Sequence, residues 1–261
     1  MMKKFITTVI LLSLSYQVHA QNSFISPYRP NYILPFHYNS RTPPANSAKN
    51  EDISHNEIAF QISLKANLLP NLFNTNTNLY LAYTQRSFWQ EYAEHAFVRE
   101  NNYEPELFVS YKFNQQKCLK LMNTGFDHQS NGKGGDQERS WERLYVDMHF
   151  GTENLLFSVK PWIRISHVLE HHDYNNDITK YLGHGRLLFA YKFKNNVFSI
   201  MSRNNLESFF KHGATEITWS FPIYKNLRGY TQLFSGYGQS LDEYNHRNNS
   251  ASIGLSLSDW L

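Results

Sequence analysis

The chain alternates apolar and polar residues over many short stretches, and this period of two restricts its possible folds more than any other feature. Between positions 154 and 165, one set of alternate residues is apolar and the other is mostly polar or charged. Successive side chains of a β-strand point to opposite faces, so the stretch predicts a strand with one apolar and one polar face. The apolar set is Leu155, Phe157, Val159, Pro161, Ile163 and Ile165, and the other set carries Ser158, Lys160, Trp162 and Arg164.

This pattern recurs often enough to close a barrel. Eleven segments from position 57 onward are predicted strands, and Asn31–Tyr38 supplies a twelfth. The eleven are 57–66, 78–89, 103–113, 117–130, 140–150, 154–165, 178–193, 196–204, 213–223, 227–238 and 249–261. Because bacterial single-chain outer-membrane barrels have an even number of strands, we predict an all-β, 12-stranded antiparallel transmembrane β-barrel. A secreted β-sandwich or jelly roll shares the alternation and is the alternative.

The composition favours the barrel. Aromatic residues make up 16% of the 261 residues, yet the mean hydropathy is only −0.54. A barrel with a lipid-facing side, a polar interior and aromatic belts combines these two properties. No stretch after the N-terminal region approaches the roughly 20 continuous apolar residues of a membrane helix. The net charge of +3, without a long basic block, gives no support for nucleic acid as a partner.

Three segments are predicted along the chain. Residues 1–20 have a basic start, an apolar run and a Val-His-Ala cleavage pattern, which together predict a secretory signal peptide of bacterial type. Residues 21–55 are rich in Pro, Asn and Ser and predict an extended N-terminal arm, and residues 56–261 form the barrel domain. Export combined with a transmembrane barrel predicts the bacterial outer membrane, crossed many times by strands.

The connections between predicted strands give the orientation. The turns near 114–116, 151–153 and 195–196 are short, which is typical of the periplasmic side, and the polar stretches around 131–139, 166–177 and 239–248 are longer. The longer stretches are therefore predicted to be extracellular. Residues that flank the 131–139 connection are expected at the outer end of the barrel.

Three polar residues on that hairpin share one face. His128 and Ser130 are two positions apart, and a returning strand from Ser140 brings Glu142 beside His128. Glu142 also shares its parity with the apolar row Leu144, Val146 and Met148. A hydroxyl, an imidazole and a carboxylate thus meet on the lipid-facing side, as a nucleophile, its base and the group that orients the base. Polar groups facing lipid are costly, so the cluster predicts a site that acts on a lipid.

The sequence around these residues resembles the outer-membrane phospholipase A family. The family motif is His-x-Ser-Asn-Gly followed by Arg-Ser-Trp-Asn-Arg, and this chain has HQSNG at 128–132 and RSWER at 139–143. Further matching segments occur in order: Tyr83–Gln90 (YTQRSFWQ), Asn102–Pro105 (NYEP), Lys160–Trp162 (KPW), Asp177–Tyr181 (DITKY) and Ser235–Gly238 (SGYG). The resemblance covers most of the chain from about Glu57.

The resemblance implies a calcium-dependent, dimeric phospholipase that hydrolyses acyl esters of glycerophospholipids at the A1 and A2 positions, and of lysophospholipids. Ser130 matches the nucleophile and His128 the general base. The third member is usually Asn, and here it is Glu142. A carboxylate also accepts the imidazole N–H and fixes the tautomer.

The same resemblance implies the remaining site residues. The backbone N–H groups of Ser130 and Gly132 become candidate oxyanion donors. The calcium ligands, by position, are the Lys133 carbonyl, Glu138, His95 from the other subunit and, for a second site, Asp173. Gln85 matches a glutamine at the dimer interface. The alternative to this enzyme is a non-enzymatic outer-membrane barrel, which is a small pore or a structural protein.

Overall fold

The computed structural model describes residues 24–42, 53–114, 116–165, 173–204, 208–209 and 211–261. The predicted signal peptide at 1–20 and two parts of the predicted arm, 21–23 and 43–52, lie outside these residues. No helix among the described residues is long and apolar enough to cross a membrane.

Twelve antiparallel strands form a closed barrel. Each strand pairs with the next along the chain, and the last barrel strand pairs with the first, which closes the barrel. The barrel strands are β2 (Asn31–Asn39), β3 (Asn56–Leu69), β4 (Thr77–Gln90), β5 (Phe97–Lys112), β6 (Leu119–Ser130), β7 (Ser140–Thr152), β8 (Leu155–Ile165), β9 (Gly185–Phe193), β10 (Asn196–Asn204), β11 (Gly213–Tyr224), β12 (Leu227–Tyr237) and β13 (Arg247–Ser258). A short extra strand, β1 (Ile25–Pro27), pairs with β3 at Leu64–Ala66. The predicted fold class is confirmed.

The barrel begins earlier in the chain than the predicted boundary at residue 56. Strand β2 was predicted as the twelfth strand, and it closes the barrel between β13 and β3. Arg29, in the preceding segment, reaches into the lumen and pairs with Glu104. The described part of the N-terminal segment is therefore packed into the barrel rather than extended away from it.

One predicted strand is wrong over its first seven residues. The segment 178–193 is a strand only from Gly185, because Ile178–Leu182 forms a short helix, α1. Ile178 and Leu182 are buried in a cluster that includes Trp162, and Gly183 ends the helix with a φ of 72°. The Trp162 indole N–H donates to the Gly183 carbonyl at 2.8 Å. Helix α1 thus packs on the inward-facing tryptophan instead of continuing β9 outward.

The two strand faces divide as the alternation predicts. Leu107, Val109, Ile163, Leu187 and Phe189 are exposed on the outer face, which is the face that lipid covers in a membrane. The inward parity is buried and largely polar, and it includes Asn123, Asp127, Arg143, Asp147 and Lys160. The barrel therefore has an apolar exterior and a packed, charged interior.

Ion pairs fill much of the lumen. Arg143 lies 3.0 Å from Glu104 and 2.8 Å from Asp127, and Lys160 lies 3.1 Å from Glu106. Arg29 pairs with Glu104 at 2.7 Å and also contacts Glu106. A cavity of about 130 Å³ remains beside these residues, and a second of about 340 Å³ is lined by Arg29, Asp147 and Arg186. These contacts fill the interior with paired charges of both signs.

Candidate active site

The register of β6 and β7 brings the predicted catalytic residues together. His128 stands directly opposite Glu142, and its Nδ1 lies 3.1 Å from the Glu142 Oε1. Ser130 is the last residue of β6, and it pairs with Tyr103 on one side and Ser140 on the other. Since a carboxylate oxygen only accepts hydrogen bonds, the imidazole carries its proton on Nδ1 in this pair. The other ring nitrogen, Nε2, is then the basic one.

The site lies on the outward parity of the barrel but is partly covered. The Glu142 side chain is 5% exposed and that of His128 is 17% exposed, whereas Leu144, two residues further along β7, is exposed. A shielded carboxylate that contacts an imidazole is well suited to hold the ring and to stabilise it when it takes up a proton. The Ser130 hydroxyl makes no hydrogen bond with His128 among the described residues. Such contacts often tighten only when substrate binds.

A single buried side chain organises the connection after Ser130. The Asn131 Oδ1 accepts hydrogen bonds from the backbone N–H groups of Lys133 at 3.2 Å and Arg139 at 3.0 Å. Its Nδ2 donates to the Gln137 carbonyl at 3.0 Å. Asn131 therefore fixes the 131–139 connection, hereafter the catalytic loop, from inside.

Gly132 occupies a backbone conformation that other residues rarely adopt. Its φ is +65°, and a Cβ built on it would lie 2.9 Å from the Tyr103 ring. In the described part of the chain, the Gly132 N–H donates to no acceptor. The loop thus presents an exposed N–H group two residues after the candidate nucleophile, which is the arrangement an oxyanion site requires.

The catalytic loop also offers oxygen ligands that suit calcium. The Lys133 carbonyl accepts no hydrogen bond from any residue that the structure describes, and the half-buried Glu138 carboxylate has no cationic partner there. The Glu138 carbonyl, in contrast, accepts a hydrogen bond from Arg139 at 2.7 Å. Carbonyl and carboxylate oxygens are the donors that calcium prefers. This donor set fits the ion on the chemistry of its oxygens.

Of the other two predicted calcium ligands, one already has hydrogen-bond partners and the other is exposed on a connection. Asp173 lies at the same end of the barrel, and its Oδ1 accepts hydrogen bonds from Arg164 at 2.8 Å and from the Asn175 N–H at 3.2 Å. His95 is exposed on the connection between β4 and β5. A calcium ion at Asp173 would compete with the Arg164 guanidinium.

The lumen holds a separate group of carboxylates. Glu104, Glu106 and Asp127 bring oxygen atoms within 4.8 Å of one another. Arg143 and Lys160 already lie against this group, and Arg29 contacts two of its members. The cations neutralise the carboxylates, so this cluster belongs to the plug of the barrel and not to the active site.

Gln85 has hydrogen-bond partners within its own chain. The Tyr83 hydroxyl donates to Gln85 Oε1 at 3.1 Å, and Gln85 Nε2 donates to the Ser87 hydroxyl at 3.0 Å. The Ser87 hydroxyl in turn donates to Asn101 Oδ1 at 2.7 Å. The outward parity of β4 and β5 therefore carries a polar row, and its members are hydrogen-bonded to one another.

Asn175 is a site residue that sequence reasoning missed. Its Oδ1 accepts from the Ser140 N–H at 3.0 Å, and its Nδ2 donates to the Ser140 carbonyl at 2.8 Å. These two bonds hold the start of β7 opposite Ser130. The two partners are 35 positions apart, and Ser140 contributes only backbone groups. No local sequence motif therefore indicates the contact.

The fold and this site together define a class, an outer-membrane β-barrel whose outer face carries a serine–histidine–carboxylate arrangement of the kind that hydrolases use. Comparison with known proteins identifies the family. The family profile of phospholipase A1 matches residues 11–257. A phospholipase A1 of Klebsiella pneumoniae is 35% identical over 250 residues, which cover 93% of this chain and 85% of that protein. The chain belongs to the phospholipase A1 family.

Solved structures agree with this placement. Outer membrane phospholipase A from Escherichia coli superposes with a TM-score of 0.83 at 33% identity, covering 93% of this chain and 95% of that chain. The outer membrane phospholipase of Salmonella typhi, a dimer with bound calcium, has a TM-score of 0.82, again at 33% identity and with the same coverage of both chains. The chain is thus an outer-membrane barrel of this family, with its candidate site at the extracellular end.

Proposed function

We propose that this protein is a calcium-dependent phospholipase A, active as a dimer, that hydrolyses acyl esters of glycerophospholipids. The proposal includes A1 and A2 cleavage and cleavage of lysophospholipids. The observation that carries it is the 3.1 Å contact of His128 with Glu142, next to Ser130 on the lipid-facing side of the barrel. Family membership and the family's barrel fold support the substrate class.

The reaction follows from the roles of these residues. His128 Nε2 takes the proton of the Ser130 hydroxyl as Oγ attacks the ester carbonyl carbon, and Glu142 stabilises the imidazolium that forms. The imidazolium then gives its proton to the lysophospholipid oxygen as the ester C–O bond breaks, leaving an acyl-serine. Water, deprotonated by the same imidazole, releases the fatty acid and restores Ser130.

Charge on the carbonyl oxygen develops next to the catalytic loop. The N–H groups of Ser130 and Gly132 are the proposed donors to the oxyanion, and the positive φ of Gly132 leaves room for close approach. Lys133 and Glu138 are the proposed ligands that hold calcium, with His95 from the partner subunit and Asp173 as further candidates. When bound, calcium supplies positive charge that stabilises the developing negative charge.

Dimerisation is the second part of the proposal. The S. typhi relative is a dimer with bound calcium, and Gln85, Tyr83, Ser87 and Asn101 form a polar row on the outer face of β4 and β5. Polar groups facing lipid gain from a second polar surface that covers them. Equal calcium-dependent turnover by a cross-linked dimer and a dilute monomer contradicts this part.

The reaction is tested on refolded protein in detergent micelles. Fatty-acid release from a phospholipid labelled differently at its two acyl positions is measured with calcium and with a chelator. We expect release from both positions that requires calcium and that Ser130→Ala abolishes. A correctly folded wild-type protein that releases no fatty acid under either condition contradicts the enzyme and favours the alternative barrel without catalytic activity.

A further inference from the structure

Among the described residues, one ion pair joins the catalytic loop to a carboxylate of a neighbouring strand. The Lys133 side chain forms it. Its Nζ lies 2.6 Å from Oε2 of Glu100 on β5. The Glu100 side chain is fully buried, whereas that of Lys133 is 24% exposed. A buried carboxylate that loses its cation is strongly destabilised, so the pair holds the lysine more firmly than a surface ion pair would.

Glu100 is itself held in place by neighbours from another loop. Its Oε1 accepts a hydrogen bond from Asn102 Nδ2 at 2.8 Å. The Asn102 Oδ1 accepts from the backbone N–H of Leu241, in the connection between β12 and β13, at 3.1 Å. The lysine is therefore attached to a fixed point on the barrel rim.

Lys133 is thus restrained at two of its three polar groups. The backbone N–H donates to Asn131 Oδ1 at 3.2 Å, and the ammonium group pairs with Glu100. The carbonyl, which accepts nothing from the described residues, is the group proposed to bind calcium. Between Lys133 and Ser130 lies Gly132, the proposed oxyanion donor.

We propose that the Lys133–Glu100 ion pair is a positioning device, which sets the main chain of the catalytic loop for calcium binding and for oxyanion stabilisation. The inference rests on the proposed function, and it assigns a role to a side chain that touches neither substrate nor metal. Groups that contact metal ligands and fix their orientation commonly contribute substantially to metal affinity. Lys133 is a positioning residue in this account, and its carbonyl remains the ligand.

Charge repulsion and loop positioning predict opposite changes in calcium affinity when the Lys133 ammonium group is removed. A positive charge on the loop repels calcium, so Lys133→Met would tighten calcium binding if charge alone mattered. If the ion pair positions the loop, the same substitution weakens calcium binding although the backbone carbonyl is retained. The sign of the change therefore decides between the two explanations.

The experiment measures metal binding and catalysis separately in refolded protein. Terbium luminescence, excited through nearby aromatic rings, and displacement of terbium by calcium give the affinity without substrate. Lys133→Met and Glu100→Gln are each expected to weaken calcium affinity by about tenfold, and the double variant no more than either single variant. Lys133→Arg is expected to restore binding, because it keeps the cation.

Controls make the outcome specific. Lys211→Met removes an exposed lysine from an extracellular connection and is expected to leave affinity unchanged. The heat-dependent gel mobility of the barrel shows that each variant is folded. For Lys133→Met, we expect kcat to fall at limiting calcium and to recover in part at saturating calcium, with little change in KM.

Two results overturn the inference in distinguishable ways. Unchanged or tighter calcium binding by Lys133→Met and Glu100→Gln, with a wild type that binds calcium, refutes the positioning role and leaves the proposed function intact. A folded wild-type protein that binds neither terbium nor calcium refutes the calcium requirement of the proposed function, and the inference with it.

Discussion

At the scale of single residues, the third member of the candidate catalytic group departs from the family motif. Glu142 stands where the family usually has Asn, so the imidazole of His128 contacts a carboxylate instead of an amide. A carboxylate stabilises imidazolium more strongly than a neutral amide does, but it needs shielding from lipid. The structure provides that shielding, because the Glu142 side chain is only 5% exposed.

Replacing Glu142 separates its charge from its orienting role. We expect Glu142→Ala to lower kcat by about 10²-fold, since the base loses both its orientation and its counter-charge. Glu142→Asn, which restores the usual family residue, is expected to keep most of the activity. Steady-state hydrolysis of a phospholipid in micelles, with circular dichroism to verify folding, measures both. Equal rates for wild type and Glu142→Ala would show that the carboxylate is dispensable.

Two of the three glycines of the catalytic loop, Gly132 and Gly134, offer a matched comparison. Gly132 has a φ of +65° and a Tyr103 ring atom 2.9 Å from the position of a Cβ, whereas Gly134 has a φ of −109° and open space. We expect Gly132→Ala to reduce kcat by tenfold or more, because left-handed backbone costs a non-glycine residue roughly 1–2 kcal/mol and the ring forces the loop to shift. Gly134→Ala is expected to leave kcat near the wild-type value. If both variants retain full activity, catalysis does not depend on the glycine at position 132 or on the space beside the Tyr103 ring.

At the scale of elements, connections at the extracellular end hold the site. Besides the catalytic loop, the connection between β12 and β13 is tied to the barrel through Arg99, which contacts Asp242 at 2.6 Å and Glu57 at 3.0 Å. Glu243 lies 4.0 Å from the same guanidinium and accepts a hydrogen bond from Ser240. The rim of the barrel is thus a network of charges shared between connections and strands.

Glu243 makes the stability of this rim depend on pH. Burial raises its pKa from 4.5 to about 7, partly offset by Arg99 and reinforced by Asp242. The pKa of Glu243 is higher in the folded than in the unfolded protein, so protonation of Glu243 stabilises the fold. This stabilisation is complete below about pH 4.5 and is lost as the pH rises through 7. We therefore expect Glu243→Gln to raise the free energy of unfolding by about 1–3 kcal/mol at pH 8 and much less at pH 5.

Denaturant unfolding followed by tryptophan fluorescence at the two pH values tests this. Glu153→Gln, at an exposed turn at the opposite end of the barrel, is the control that should change little at either pH. A Glu243→Gln variant whose stability gain is the same at pH 5 and pH 8 would contradict the raised pKa.

The strands could be predicted from the sequence, and the contacts between connections could not. Alternation is a local signal, so the order and facing of the strands followed from it, including the outward parity shared by His128, Ser130 and Glu142. Helix α1 was missed because Tyr181, Gly183 and Gly185 continue the period of two, while burial against Trp162 decides the structure. Asn175 and Glu100 act through partners at least 33 positions away, which only the closed barrel brings near.

At the scale of the whole molecule, the lumen distinguishes this barrel from a pore. Arg29, Arg143 and Lys160 face Glu104, Glu106 and Asp127 across the interior. Three cations lie against three carboxylates in this group, and a paired interior of this kind resists opening because each separated ion would be left unpaired. The interior thus serves as a rigid support for a site on the outside.

Conductance across a planar bilayer measures whether the lumen is open to ions. We expect refolded protein to insert without producing stable single-channel steps, because the ion pairs of Arg29, Arg143 and Lys160 cross the lumen. The triple variant Arg29→Ala, Arg143→Ala and Lys160→Ala, if it folds, is expected to conduct. Regular steps of uniform size from the wild-type protein would favour the alternative of a small pore.

Ser130, on the outer face, is the proposed nucleophile that His128 activates, and covalent labelling identifies the reactive residue. Refolded protein is incubated with a long-chain alkyl sulfonyl fluoride, with calcium or with chelator, and the modified peptide is identified by mass spectrometry. We expect a single sulfonyl group on Ser130, and we expect its attachment to require calcium and to be prevented by His128→Ala. Labelling at another residue, or calcium-independent labelling that persists in His128→Ala, would contradict it.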